Sequence, residues 1–276
     1  SSCGCGSGLS WVLWCVVVIH YFTDLPLSSA ASYRPIHATK PICCQTEDAE
    51  HCVKLMKKLV DLSHTVEDGM ITYKGIPAPL ICDFLTREAS KAYYAEGTTF
   101  HIGKIEMAAN TGTYLDSPFH RYADGKDLSE LKLEVLADLD AIAFHTQPDQ
   151  ISIGPELFAD AQNQISGKAI LIHTGWDKHW RTDQYFEDHP HLTEAAAAWL
   201  KEAGATLVGI DSYNIDGTKT GTRPAHSILL GADIPIVEHM CNLQSLPDSG
   251  FKFNAVPVKV KKFGTFPVRA YAVVGL

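Results

Sequence analysis

The chain has 276 residues, of which 46% are apolar and 20% charged, with a formal net charge of −9. That composition describes a globular protein and excludes disordered and collagen-like classes. The acidic balance argues against a nucleic-acid binder, and the longest strongly apolar run, Trp11 to Ile19, falls short of the ~20 residues that span a bilayer.

The first 55 residues read as a separate extension. Six of the eight cysteines (Cys3, Cys5, Cys15, Cys43, Cys44 and Cys52) lie there, and only Cys82 and Cys241 follow. Two distant cysteines make no disulfide framework, so the remainder reads as cytoplasmic and reduced. The alternative is a secreted protein. Trp11–Ile19 followed by Ser28-Ser29-Ala30-Ala31-Ser32 resembles a signal-peptide core with its cleavage zone, which would make residues 1–31 a signal segment. No Lys or Arg precedes Trp11, and Met56-Lys57-Lys58-Leu59-Val60-Asp61-Leu62 is an ordinary opening for a cytosolic chain. The expected division is an extension over 1–55, signal-like or non-native, and one domain over 56–276 that folds without it.

In chain order, strands are expected at Lys57–Leu62, His101–Ala109, Ala141–Phe144, Ala169–His173, Thr206–Ile210, Ile234–Val237, Ala255–Val260 and Phe266–Val274. A helix should start near Pro155, which suits a first helical turn. A second should run from about Thr193, its N-cap, to Ala203, with Gly204 as the stop. That helix lies between two strands and suggests a parallel crossover. The last two strands, joined by Lys261–Thr265, look like an antiparallel hairpin. The fold class is α/β: a mixed sheet with few helices.

The chemistry concentrates in Asn110-Thr-Gly-Thr-Tyr114-Leu-Asp116-Ser-Pro-Phe-His120. Gly112 permits a tight turn and Pro118 prevents a regular helix, so the segment reads as a loop at a strand end. Asp116 and His120, four apart, can reach one divalent cation. Downstream, His226 in Arg223-Pro224-Ala225-His226 and Glu238 after Ile234–Val237 are further candidate ligands for zinc or manganese. Each also has a bland reading, as a turn residue or a surface charge.

Taken together, these segments resemble the metal-dependent cyclase-like hydrolases, a family that includes bacterial kynurenine formamidase and isatin hydrolase. The resemblance runs from about Leu59 to Val274. It takes in Asp61-Leu62-Ser63-His64, Ile172-His173-Thr174-Gly175-Trp176 and Gly209-Ile210-Asp211-Ser212. It implies an α/β domain with a mixed, partly barrel-like sheet and flanking helices, and a homodimer or homotetramer. It implies Asp116, His120, His226 and Glu238 as metal ligands. Relatives commonly carry His where this chain has Asn110 and Tyr114. A phenol with a pKa of about 10 is a poor ligand, so one ion, or a second held loosely, is implied.

The implied chemistry is hydrolysis of an amide, lactam or ester in a small, aryl or cyclic substrate. Glu238, His64 and Asp211 are candidate bases, and His120 would pass to proton transfer if it holds no metal. Tyr114 is expected to donate a hydrogen bond to a carboxylate, water or substrate beside the ion, and Trp176 to wall a flat substrate. For His64, Asp211 and Trp176 a structural role is equally open. The rival readings are a catalytically silent binding relative, or a metal-dependent cyclase or lyase. No Gly-x-Ser-x-Gly element or nucleotide fingerprint is present.

Overall fold

The computed structural model describes residues 57–275. The extension over 1–55 lies outside them. The strands are β1 (Lys58–Asp61), β2 (Leu80–Leu85), β3 (Ile102–Glu106), β4 (Tyr114–Asp116), β5 (Leu139–His145), β6 (Ser152–Ile153) and β7 (Ala169–His173). They continue as β8 (His191–Leu192), β9 (Leu207–Ile210), β10 (Ile236–Glu238), β11 (Ser249–Asn254), β12 (Thr265–Pro267) and β13 (Tyr271–Val274). Among the described residues three α-helices accompany them: α1 (Arg87–Ser90), α2 (Glu194–Glu202) and α3 (Pro224–Leu230).

Nine strands form one sheet in the order β1-β13-β11-β5-β7-β9-β10-β4-β12. Its centre, β5-β7-β9-β10, is parallel and its flanks are antiparallel. Successive residues of a strand face opposite sides. On β7, Ala169 and Leu171 enter one apolar core, while Ile170 and Ile172 enter the other beneath α2 and α3. Because both faces are covered, the central strands read as unbroken apolar runs.

The link between β12 and β13 shows that the sheet curls. These strands stand at the ninth and second places of the order, yet only Val268-Arg269-Ala270 join them. Four residue steps reach at most ~14 Å, whereas seven strand spacings laid flat would need ~34 Å. The sheet therefore closes most of the way round into a half-barrel.

α2 matches its sequence signals. Thr193 accepts the Ala196 N–H at 3.2 Å, and Gly204 takes φ +80° just past the end. It lies between β7 and β9, which are parallel. Three expectations are corrected. The segment at Pro155 forms short 3₁₀ turns, Pro155–Leu157 and Ala159–Gln164, because only Phe158 and Ile165 are buried and no apolar helical stripe exists. Ala255–Val260 is not a strand; Pro257 has no N–H to pair, and the strand lies earlier, at β11. The terminal hairpin is absent, because the run Phe266–Val274 breaks after Pro267 and its halves pair with β4 and with β11 and β1. The strand near His101 pairs with β2 in a separate two-stranded ribbon, and β6 and β8 form another.

Candidate metal centre

β4 is the foundation of the site. Within the segment expected as a loop, Asn110–His120, residues Tyr114–Asp116 instead form a buried strand between β10 and β12. Residues two apart share a face, so Tyr114 and Asp116 point the same way. In the antiparallel register Tyr114 stands opposite Glu238 of β10, and Asp116 opposite Thr265 of β12. One turn later, Pro118–His120 form a 3₁₀ helix that returns His120 toward Asp116.

Asp116, His120 and His226 each offer a ligand atom, and these atoms lie within 4.8 Å of one another. Asp116 is fully buried, and its Oδ2 has no hydrogen-bond partner. It lies 3.7 Å from Nε2 of His226, which is also 3.7 Å from Glu238 Oε1. An unsatisfied buried carboxylate oxygen facing imidazole nitrogens fits a divalent cation.

Two residues without a sequence signal fix the tautomers. The Thr265 hydroxyl donates to Asp116 Oδ1. Its single proton is thereby committed, so it accepts from His120 Nδ1 at 2.8 Å, leaving Nε2 with its lone pair. Asp216 accepts from His226 Nδ1 at 2.7 Å and so leaves that Nε2 free as well. The same Asp216 carboxylate accepts the Ala225 and His226 N–H groups of the first turn of α3. It therefore caps the helix and aims the candidate ligand on it, as outer partners of metal-binding imidazoles do.

Burial alone would raise the Asp116 carboxyl, but the neighbouring His120 and His226 and the Thr265 hydroxyl hold it below the usual range. Burial also opposes the charged form of His226, yet Glu238, Asp116 and Asp216 outweigh it and raise the imidazole to about 10. A folded pKa above the ordinary 6.5 gives stability that is present below about 6.5 and is lost as pH rises through about 10. Chelator-treated protein is thus expected to melt at progressively lower temperature across that window. Metal-loaded protein should change less, because the cation replaces the proton among the carboxylates. Calorimetry on both forms checks this, and a flat metal-free profile would mean that His226 folds neutral.

Glu238 Oε2 accepts the Tyr114 hydroxyl at 2.7 Å, and Oε1 accepts the Ile215 N–H at 2.6 Å. Burial pushes this carboxyl up to about 7. His239, next in sequence and fully buried, places Nε2 3.4 Å from the same hydroxyl. Asn110, Tyr114, His120, His226 and Glu238 all line one cavity of about 800 Å³, whose wall also includes Tyr73 and Ile76.

Three other candidates lie elsewhere. Asp211 accepts from the Thr174 N–H and hydroxyl and from the Gly175 N–H, at 2.6–2.9 Å, so it pins the turn after β7. Burial still pushes its carboxyl up to about 7, against those donors. His64 stacks on Trp180 at 3.9 Å, outside the cavity wall. Trp176 donates its indole N–H to the Tyr185 carbonyl at 3.0 Å and lines a different, smaller cavity.

The family model described as "Putative cyclase" matches residues 60–217. The chain belongs to this family. A kynurenine formamidase of Geobacillus thermodenitrificans is 29% identical over 217 residues, covering 78% of this chain and 97% of the relative. Isatin hydrolase A from Labrenzia aggregata, solved with benzyl benzoate, superposes with a TM-score of 0.66 at 22% identity, over 83% of this chain and all of that one. A structure described as a potential metal-dependent hydrolase with cyclase activity gives 0.64 at 22% identity, over 79% and 98% of the two chains. The half-barrel is thus the fold of these cyclase-family proteins. Among the described residues no helix is long and apolar enough to cross a membrane.

Proposed function

We propose that this protein is a divalent-metal-dependent hydrolase that breaks the C–N bond of a small amide or lactam. The observation that carries this reading is the convergence of Asp116, His120 and His226, from β4, the turn after it and α3, to within 4.8 Å. The names of the relatives, a formamidase and a hydrolase, support the reaction class. Two imidazoles and a carboxylate suit zinc or manganese. Such an ion supplies Lewis acidity, polarising a carbonyl and lowering the pKa of water.

Glu238 is assigned the proton. Its carboxyl, near 7, is matched to accepting a proton at neutral pH and releasing it again. Oε1 takes a proton from the water that adds to the carbonyl carbon and delivers it to the leaving nitrogen. The C–N bond breaks, and the water oxygen stays on the acyl product. Tyr114 and the Ile215 N–H hold the carboxylate in place from either side. A second reading, Glu238 as a fourth ligand, is favoured by its 3.7 Å approach to His226 Nε2. Because the Tyr114 hydroxyl is committed to Glu238, we assign one ion per chain.

Tyr114→Phe is expected to retain the ion and lower kcat about tenfold. It also removes a donor that stabilises the charged Glu238, so the rising limb of the pH–rate profile should move to higher pH. Unchanged kcat and midpoint would mean that the ring only fills space. The function itself is tested by chelation and reconstitution against N-formyl aryl amines, lactams and esters. Hydrolysis lost with the ion and restored by zinc or manganese is the expected result. A metal-loaded protein that cleaves none of them would be a silent relative.

A further inference from the structure

We propose that Arg121 receives a carboxylate of the substrate, so that the amide cleaved here belongs to an anionic molecule. This rests on the reading of the cavity as an amide-hydrolysing site.

Arg121 directly follows His120 and lines the same cavity. Its Nε donates at 3.1 Å to the hydroxyl of Ser227, the residue directly after His226. That hydroxyl in turn donates to the Arg223 carbonyl at 2.8 Å. The guanidinium is thereby tied between the two segments that carry the imidazoles, and it lies 5.2 Å over the Tyr122 ring. One edge is fixed, while the two terminal nitrogens have no hydrogen bond or ion pair among the described residues.

Three of the four other arginines among the described residues are engaged, and the fourth, Arg87, does not line this cavity. Arg269 pairs with Asp61, and Arg181 with Glu67. Arg223, also in the cavity wall, points one terminal nitrogen at the carbonyls of Gly217, Thr220 and Thr222 and so staples its own loop. Arg121 therefore stands out as an oriented fork beside a site of acids, in a chain of net charge −9. A guanidinium presenting two parallel N–H groups matches a carboxylate bidentately. Glu194, the acid of this wall outside the ligand group, also lines a second cavity and so marks the boundary between the two. Tyr73 and Ile76 offer an apolar surface for the body between carboxylate and amide.

The test compares formanilide with 2-, 3- and 4-formamidobenzoate on the metal-loaded full chain. All four present the same N-formyl bond and differ only in the carboxylate. At least one isomer should exceed formanilide in kcat/KM by tenfold or more, mostly through KM. In Arg121→Gln that ratio should collapse toward one, and in Arg121→Lys it should be partly restored. Binding of fluorescent 2-aminobenzoate, measured without turnover, should weaken tenfold or more in Arg121→Gln. If no formyl compound is cleaved but 2-aminobenzoate binding depends on Arg121, the hydrolase reading fails while the anion site stands. If formanilide and the benzoates are cleaved alike, or the preference survives in Arg121→Gln, the anion site is overturned and the hydrolase reading stands. Neither cleavage nor Arg121-dependent binding would overturn both.

Discussion

Replacing Glu238 by Gln is expected to lower kcat by roughly 10²–10⁴-fold while the protein still folds and still takes up its ion. The amide has nearly the shape of the carboxylate. Its oxygen can keep the Ile215 N–H, and its NH₂ can donate to the Tyr114 hydroxyl, which can then turn its own proton toward His239. The Ile215 N–H and the Tyr114 hydroxyl each keep a partner, so the cost in stability should be small. What disappears is the group that accepts a proton near pH 7. The residual rate should also lose its rise with pH through that value. Metal analysis run beside the kinetics separates the two roles. If the ion is lost together with the activity, Glu238 is a ligand and the proton is carried elsewhere.

Gly264→Ala is expected to damage the site without touching any group that performs chemistry. A Cβ on Gly264 would lie 2.6 Å from both the Cα and the N of His120. These are backbone atoms and cannot rotate aside. The Gly264 backbone is held in turn, since its carbonyl accepts the Ser117 N–H at 2.7 Å. The strain must move His120 against Asp116 or open β12 from β4, at a cost of about 1–3 kcal/mol. A displacement of about 1 Å at one ligand should lower kcat/KM by ~10² and weaken metal affinity. Thermal melting and metal titration of the variant check both parts. Wild-type affinity and melting temperature would show that the two segments are not in close contact.

The sequence exposed the candidate site residues better than what aims them. Asp116 and His120 stand out because a carboxylate and an imidazole four apart flank a proline. His226 and Glu238 stand out because each adjoins an apolar segment. Thr265 and Asp216 carried no such mark, since their roles come from strand register and from a helix start that no local pattern encodes. The loop reading of Tyr114–Asp116 failed because a three-residue strand is too short to show alternation. α2 was legible from its cap, its alanines and its stop. The β12–β13 break was not, because continuous apolar character continues through Val268 and Ala270 while the backbone changes edges. His64, Asp211 and Trp176 were singled out by type. The structure instead gives Asp211 and Trp176 backbone partners and His64 a stacking partner, Trp180.

The most direct test is the metal content of reconstituted, desalted full-length protein, by mass spectrometry, for the wild type and for His226→Ala. One equivalent of zinc or manganese per wild-type chain, and next to none in the variant, is the predicted result. No ion in the wild type, or equal uptake by both, would contradict a centre built from Asp116, His120 and His226.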